Sequence, residues 1–453
     1  MYDHALKPDF SVEDIAVQRV ESIPPDLLKK MKASRPNELY EKAHGYPVSV
    51  PRKWNNVDDQ IIDWSFQVKR PLRFYVHIPW CLTKCTFCYY ESKAGQPTDS
   101  EVQDYLNLLK KELEIYCGKL GYERLNAETL YIGGGTPSIL SPKQIKSLFD
   151  IIHSFIDFQE GAFLITEVSP GSLTPDKIQA FVDGGINRIS VGVQSFQDHL
   201  LKICRRDHDA NKAIKAYDML WAANIPEINF DLMLGLPEQT LSDFVDSVQK
   251  AIKLTPSSLT FLDLIVAKGS EMYKKGNYNP SWKKSIIMRA IYHEILRRDK
   301  KYERSRPHYY ILPDQARART TRTPYLDSRP GPGFEIGIGV TACSHLGDVV
   351  YRNGKDHMYK TYLSAGKLPV HSGLVLSKED RTAMTAIRTI VDKKLIPCMP
   401  DVFLQYQKQI EFLSTNGLID NNYNLTDDGC LFYEEILYML YPPLSKVKLR
   451  SIG

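Results

Sequence analysis

The sequence predicts an α/β fold: a partial, open (β/α)6 TIM-like barrel with an N-terminal extension and a small helical, winged-helix-like C-terminal domain. Three observations predict it. Short β-rich runs alternate with longer amphipathic segments from residue 73 onward. Six such units occur, too few for a closed eight-stranded barrel. Near residue 280 the alternation stops. The expected divisions are 1–70, 71–280, 281–375 and 376–453.

Residues 1–70 carry Pro24-Pro25 and mixed patterning with no assignable motif, and are expected to pack on the main domain. RFYVHIP then reads as a strand and EVQDYLNLLKKELEIYCGKL as a helix. ETLYIGG is the second strand. SPKQIKSLFDIIHSF is a helix with Ser141 as N-cap and Pro142 in its first turn. FLITEVS, RISVGV, INFDLMLG and SSLTFLDLIV continue the series, giving strands near 74, 129, 164, 189, 229 and 260. Such alternation argues a parallel sheet with right-handed crossovers. In these folds chemistry sits beyond the carboxyl ends of the strands, so candidate motifs should lie just after strands. Past 280 come the helix WKKSIIMRAIYHEILRR, a segment over 304–333 rich in Pro, Arg and Tyr, the run FEIGIGVTACSHLGDVVYRN and a helical tail.

The 453 residues are 43% hydrophobic, enough for a large core, and the formal net charge of +4 carries no global mark of a nucleic-acid binder. The start, MYDHALKPDFSVEDIAV, lacks a basic region followed by an apolar one, and no apolar run reaches the roughly eighteen residues of a membrane span. A cytoplasmic protein with no membrane partner is expected.

Of eight cysteines, Cys117, Cys204, Cys343, Cys398 and Cys430 are scattered and read as small buried apolar residues. Cys81, Cys85 and Cys88 instead fall within CLTKCTFC, on the loop after the first strand. Structural zinc wants four ligands, usually as two pairs, and no second pair lies nearby. Three thiolates on a [4Fe–4S] cluster leave one iron open. The spacing Cys–x3–Cys–x2–Cys, with Phe87 before the last cysteine, resembles the signature of the radical S-adenosylmethionine (SAM) superfamily.

Other motifs stand where that resemblance needs them. GGGTP (Gly133–Pro137) follows the second strand, and its glycines let backbone approach a ligand closely. The resemblance implies that Gly134, Gly135 and Thr136 receive the amino group of SAM and that Glu167, ending the third strand, pairs with that ammonium. It likewise implies that Gln194 binds the carboxylate or ribose, that Arg206 supplies a cation for the carboxylate, and that Asp231, ending the fifth strand, accepts from ribose hydroxyls.

YVHIPWC, LYIGGGTPS, INRISVGVQSF, INFDLMLGLPEQT and GIGVTACSHLGD resemble the oxygen-independent coproporphyrinogen III oxidase family and its relatives, from about residue 70 to the tail. Those relatives include radical C-methyltransferases, cyclopropanases and a heme chaperone. The resemblance implies Tyr75 beside the cluster-bound SAM. It also implies a second SAM molecule in region 281–375, lined in part by Val266 (or Ile265) and Cys343. Two departures bear on the branch. The decarboxylase pattern has another cysteine where Tyr90 stands, and AHGYPVSVP replaces its arginine-tyrosine segment. The expected reaction is therefore transfer of a methyl or methylene unit from the second SAM to an sp2 carbon. The alternatives are propionate decarboxylation of coproporphyrinogen and a heme-binding chaperone. The expected partners are a planar, unsaturated small molecule and an electron donor such as flavodoxin or ferredoxin. Arg304, Arg306, Arg317, Arg319, Arg322 and Arg329, interleaved with Tyr309, Tyr310 and Tyr325, read as a solvated segment or as a loop over a planar ligand; nucleic acid is a weaker use of them.

Overall fold

The computed structural model describes residues 10–35, 71–276, 278–313, 334–391 and 400–441. All six expected strands form: β1 (Leu72–Ile78), β2 (Leu125–Gly134), β3 (Ile156–Val168), β4 (Arg188–Gln194), β5 (Glu227–Leu234) and β6 (Ser258–Asp263). They lie side by side in chain order and every neighbouring pair is parallel. Along β1 the alternation is clean. Leu72, Phe74, Val76 and Ile78 are buried in the main core, while Tyr75 and His77 take the opposite face, where they meet Tyr131 and Gly134 of β2.

The crossover helices follow from local chemistry. α1 (Val12–Glu21) and α2 (Pro25–Ser34) come first in the chain. α3 (Asp99–Leu120) opens with a capping box between Thr98 and Glu101 and closes at Gly121, whose φ of 72° is easy for glycine. α4 (Pro142–Phe155) begins as expected, with Ser141 capping and Pro142 in the first turn. α5 (Pro175–Asp183), α6 (Ala210–Ala222) and α7 (Leu241–Leu254) are capped by Thr174, Asp209 and Thr240.

The sheet runs further than the alternation foretells. α8 (Trp282–Asp299) leads to β7 (Glu303–Arg306) and β8 (Tyr309–Ile311), and β8 pairs antiparallel with β6. On the other flank β9 (Phe334–Ile338) pairs parallel with β1, and β10 (Cys343–Leu346), β11 (Val349–Asn353) and β12 (Val370–Val375) follow antiparallel. Among the described residues the result is a twelve-stranded sheet ordered β12-β11-β10-β9-β1-β2-β3-β4-β5-β6-β8-β7.

The tail holds α9 (Lys378–Val391), α10 (Pro400–Thr415), an antiparallel bridge between Ile419 and Leu425, and α11 (Tyr433–Met439). The expected N-terminal extension packs through α1 on α8 and through α2 on α11. These parts meet at an ionic knot. Arg289 of α8 is fully buried, donates to Asp263 at the end of β6 (3.0 Å) and to Glu435 of α11 (2.9 Å), and also reaches the Leu431 carbonyl (2.6 Å). Trp282 and Arg35 donate to the same Glu435 carboxylate. A second knot ties β9 to α3. Glu112 accepts from the Gly339 backbone N–H (2.9 Å), Asn353 (2.7 Å) and the Tyr359 hydroxyl (2.5 Å). Arg317, Arg319, Arg322, Tyr325 and Arg329 lie outside the described residues, as does the segment AHGYPVSVP. Arg304 lies in β7, bonded to Asp427 (2.7 Å), and Tyr309 and Tyr310 are buried in β8.

Candidate active site

Cys81, Cys85 and Cys88 lie beyond the C-terminal end of β1, on a loop pinned from three directions. Gly135 N–H donates to the Ile78 carbonyl (2.7 Å), Thr136 N–H to Trp80 (2.7 Å), and Gly95 N–H to Cys81 (2.9 Å). All three cysteines are free thiols and half-buried. Burial pushes the Cys81 thiol up and takes Cys88 to about 11. A cation or metal must therefore be bound for these sulfurs to be thiolates. Arg206 supplies part of that charge, its Nη1 donating to Cys85 Sγ at 3.2 Å. Among the described residues no three Cys, His, Asp or Glu side chains converge on one ion. A zinc site asks for that convergence, whereas in a cluster each thiolate takes its own iron.

The residues predicted beyond the strand ends share the face that Tyr75 occupies. Tyr75 stacks near Tyr131 (centroids 6.1 Å apart, 27°), and Tyr131 donates its hydroxyl proton to Glu167. Burial raises Glu167 to about 7, and the nearby Asp231 charge adds to the shift. Asp231 accepts from Ser190 (2.9 Å) and Asn229 (2.8 Å), and burial raises its carboxyl also. Its position refines the expectation: Asp231 lies inside β5, three residues before the last, deeper in the sheet than Glu167 or Gln194. Gln194 ends β4 in the left-handed region (φ 65°), and its side-chain oxygen is buried without a hydrogen-bond partner. Arg206 also donates to the Gly192 carbonyl (2.7 Å), yet its buried Nε has no partner. Buried polar atoms are rarely left so. Two of them, beside a raised carboxyl and three thiols, fit a polar ligand that carries a carboxylate, an ammonium and hydroxyls.

The glycine run is where close approach is required. A Cβ on Gly134 (φ 102°) would lie 2.4 Å from the His77 ring, and one on Gly135 would lie 2.5 Å from the Trp80 carbonyl. His77 Nδ1 is 3.0 Å from the Tyr75 hydroxyl and Nε2 is 3.0 Å from the Glu91 carbonyl, while burial lowers its pKa to about 4. Neutral His77 thus links Tyr75 to the cysteine loop. Sequence reasoning missed His77 and Tyr131, although His77 stands two positions from Tyr75 on the same strand face and Tyr131 lies opposite Tyr75 on the neighbouring strand.

Phe87 and Val266 fall in one apolar cluster with Leu200, Cys204 and Met272, which backs the cysteine loop. Cys343 begins β10, its sulfur 3.2 Å from Arg352 Nε. Val266 and Cys343 stand on opposite sides of the six-stranded core, after β6 and in β10.

The fold and the three-cysteine site define a class: α/β proteins that bind an iron–sulfur cluster and SAM at the ends of parallel strands. The Radical SAM superfamily profile matches residues 75–251. The heme chaperone HemW of Haemophilus influenzae is 36% identical over 43% of this chain and 51% of its own length. That of Buchnera aphidicola from Schizaphis graminum is 30% identical over 68% of this chain and 80% of its own. The oxygen-independent coproporphyrinogen III oxidase of Helicobacter pylori strain J99 is 28% identical, with 78% of this chain and 80% of that protein covered. The chain spans about half the length of the H. influenzae chaperone it matches. Coproporphyrinogen III oxidase from Escherichia coli, solved as a radical SAM enzyme, superposes with a TM-score of 0.74 at 20% identity, covering 92% of this chain and 98% of that one. The chain belongs to the radical SAM superfamily, in its oxygen-independent coproporphyrinogen III oxidase-like family, and membership implies a [4Fe–4S] cluster and SAM.

Proposed function

We propose that this chain is a SAM-cleaving enzyme whose substrate is a tetrapyrrole carrying propionate side chains, with oxidation of one such side chain as its reaction. The observation that carries SAM binding is the pair of buried, unpartnered atoms on Gln194 and Arg206, the latter side chain bonded to the Cys85 sulfur. The substrate class rests on the coproporphyrinogen oxidase relative that spans most of this chain.

Cys81, Cys85 and Cys88 would hold the cluster, which with SAM supplies a 5′-deoxyadenosyl radical when bound. The chain's own contribution is placement and charge. Glu167, ionised by a neighbouring ammonium, holds the amino group; Tyr131 keeps that carboxylate oriented. Arg206 spans the Cys85 sulfur and the carboxylate position. Asp231 accepts from hydroxyls, and the Gly133–Gly135 backbone lets the ligand lie against β2. Tyr75 and Tyr131 stack beside Glu167 and offer it aromatic surface.

A second reading, one-carbon transfer from a second SAM, draws support from the Tyr89–Tyr90 pair, which stands where the decarboxylase pattern continues with a cysteine. Anaerobic incubation of the reconstituted chain with dithionite, SAM and coproporphyrinogen tests both. Carbon dioxide and 5′-deoxyadenosine in step with a vinyl product support the first reading. S-adenosylhomocysteine formed alongside 5′-deoxyadenosine, without carbon dioxide, supports the second. Tight heme binding without SAM cleavage overturns both in favour of a carrier.

A further inference from the structure

We propose that Asp207 is a positioning residue for the SAM site: through the Ser169 hydroxyl it holds the Arg206 guanidinium against the Cys85 sulfur and ready for the ligand's carboxylate. The proposal rests on the reading that Arg206 receives that carboxylate. It adds a residue that itself touches neither the ligand nor a cysteine.

The consecutive side chains of Arg206, Asp207 and His208 are fastened to the ends of two neighbouring strands. Arg206 Nη2 donates to the Gly192 carbonyl of β4 (2.7 Å), and His208 Nε2 stands 3.1 Å from the next carbonyl, that of Val193. Asp207, between them, reaches β3 instead. Its Oδ1 accepts from the hydroxyl of Ser169 (2.5 Å), the first residue beyond that strand. His208 Nδ1 lies 3.2 Å from the same oxygen. The Asp207 side chain is 12% exposed and that of His208 is fully buried. Burial by itself would raise the Asp207 carboxyl, but His208, Arg206 and Ser169 draw it down to about 2, so it stands ionised.

An ionised carboxylate can only accept, and that fixes which way the Ser169 hydroxyl points. Its proton goes to Asp207, and its lone pairs are left for Arg206 Nη2, 3.4 Å away. Asp207 thus acts on Arg206 through a hydroxyl rather than by a direct ion pair. A carboxylate in direct contact would compete with the ligand's carboxylate for the guanidinium; one set back by a hydroxyl orients it and leaves its charge for the ligand. Nη1 meanwhile donates to Cys85 Sγ (3.2 Å), while the buried Nε has no partner among the described residues. The guanidinium is therefore held from β3, from β4 and from the cysteine loop, with one donor left over.

The brace is anchored in turn. Ser169 N–H donates to Ser138 Oγ (3.1 Å), just past the glycine run, and Lys177 Nζ donates to the carbonyls of Ser138 (2.7 Å) and Ser172 (2.8 Å). A Cβ on Gly171 would lie 2.3 Å from the Asp207 carbonyl oxygen, so the two loops meet at backbone distance. The segments after β2, β3 and β4, which follow Gly134, Glu167 and Gln194, are tied at one place, and Asp207 is its carboxylate.

The test uses the full chain with its cluster reconstituted, as wild type, D207A, D207N, R206A and the double variant D207A/R206A. SAM binding is read by titration calorimetry, and the cluster by its midpoint potential measured without SAM. D207A should weaken the SAM Kd about tenfold and R206A about a hundredfold, the scale of charge-assisted hydrogen bonds. D207N keeps an accepting oxygen and should recover most of the binding. In the R206A background D207A should add no further loss, because its effect passes through Arg206. The potential should move to more negative values in both R206A and D207A, since each disturbs the donor to the Cys85 sulfur. Should D207A fail to hold its iron, S169A makes the same comparison by removing only the intervening hydroxyl. An iron-replete D207A chain with the wild-type Kd, whatever its urea midpoint, would overturn the proposal, as would losses from D207A and R206A that add. A wild-type chain that holds its cluster and binds no SAM would sink the proposed function instead. The potentials then decide the role of Asp207, equal values for D207A and wild type rejecting it.

Discussion

Two ionic clusters sit at the carboxyl ends of the same parallel strands, and they differ in how completely they are closed. Around Arg289 every guanidinium nitrogen has a partner, and Asp263 and Glu435 are sealed from solvent. Around Glu167 the side chains are only half-buried, the carboxyl is raised to about 7, and one buried atom each of Gln194 and Arg206 has no partner among the described residues. The first cluster is finished by the chain itself and joins α8, β6 and the tail. The second is not completed by any side chain among the described residues. Closure separates architecture from a binding site where burial and charge alone do not.

Breaking the closed cluster should give the largest effect. R289M strands Asp263 and Glu435 as buried, uncompensated carboxylates and should cost about 3–5 kcal/mol in urea unfolding. Glu167→Gln should do the reverse of that pattern. SAM affinity measured by calorimetry should drop roughly 10–100-fold for loss of a charge-assisted contact, while the urea midpoint holds or rises. Destabilisation by E167Q as severe as that by R289M would break the comparison. Gly134→Ala should cost about 1–3 kcal/mol, because the left-handed backbone and the His77 ring both oppose a Cβ, and should weaken SAM binding with it. The smallest effect sharpens the contrast through pH. With the free Glu167 carboxyl raised to about 7, its proton must leave before it can pair with an ammonium. SAM affinity should therefore strengthen as pH rises through about 7 and level off above it, and the E167Q profile should be flat there. The stability sign runs the other way: a raised carboxyl favours the fold most below its ordinary value near 4.5 and loses that contribution as pH rises through about 7.

Much of this was legible from residues alone. The six parallel strands announce themselves because strands covered on both faces are dense in β-branched and aromatic residues. That Cys81, Cys85, Cys88, Glu167 and Gln194 stand at or just beyond strand ends was legible because the alternation marks where each strand stops. The flanking strands were not. β8 and β10 span three and four residues, too short to show a period, and their pairing depends on edges that only the assembled sheet offers. Nor was either ionic knot visible. Glu112 and Arg289 lie in helices full of charge, where a single Glu or Arg reads as solvated surface. Only tertiary contact shows that Tyr359, Asn353 and Gly339 converge on the one and that α11 covers the other.

One pairing has a consequence for how the molecule is made. β1, which delivers the cysteines, finds its second neighbour in β9, where Arg73 lies opposite Glu335. A nascent chain therefore carries Cys81, Cys85 and Cys88 beyond a strand with one bare edge until residue 338 has left the ribosome. Unpaired edges invite association with other chains. Chains cut short before Phe334 should therefore be found in inclusion bodies.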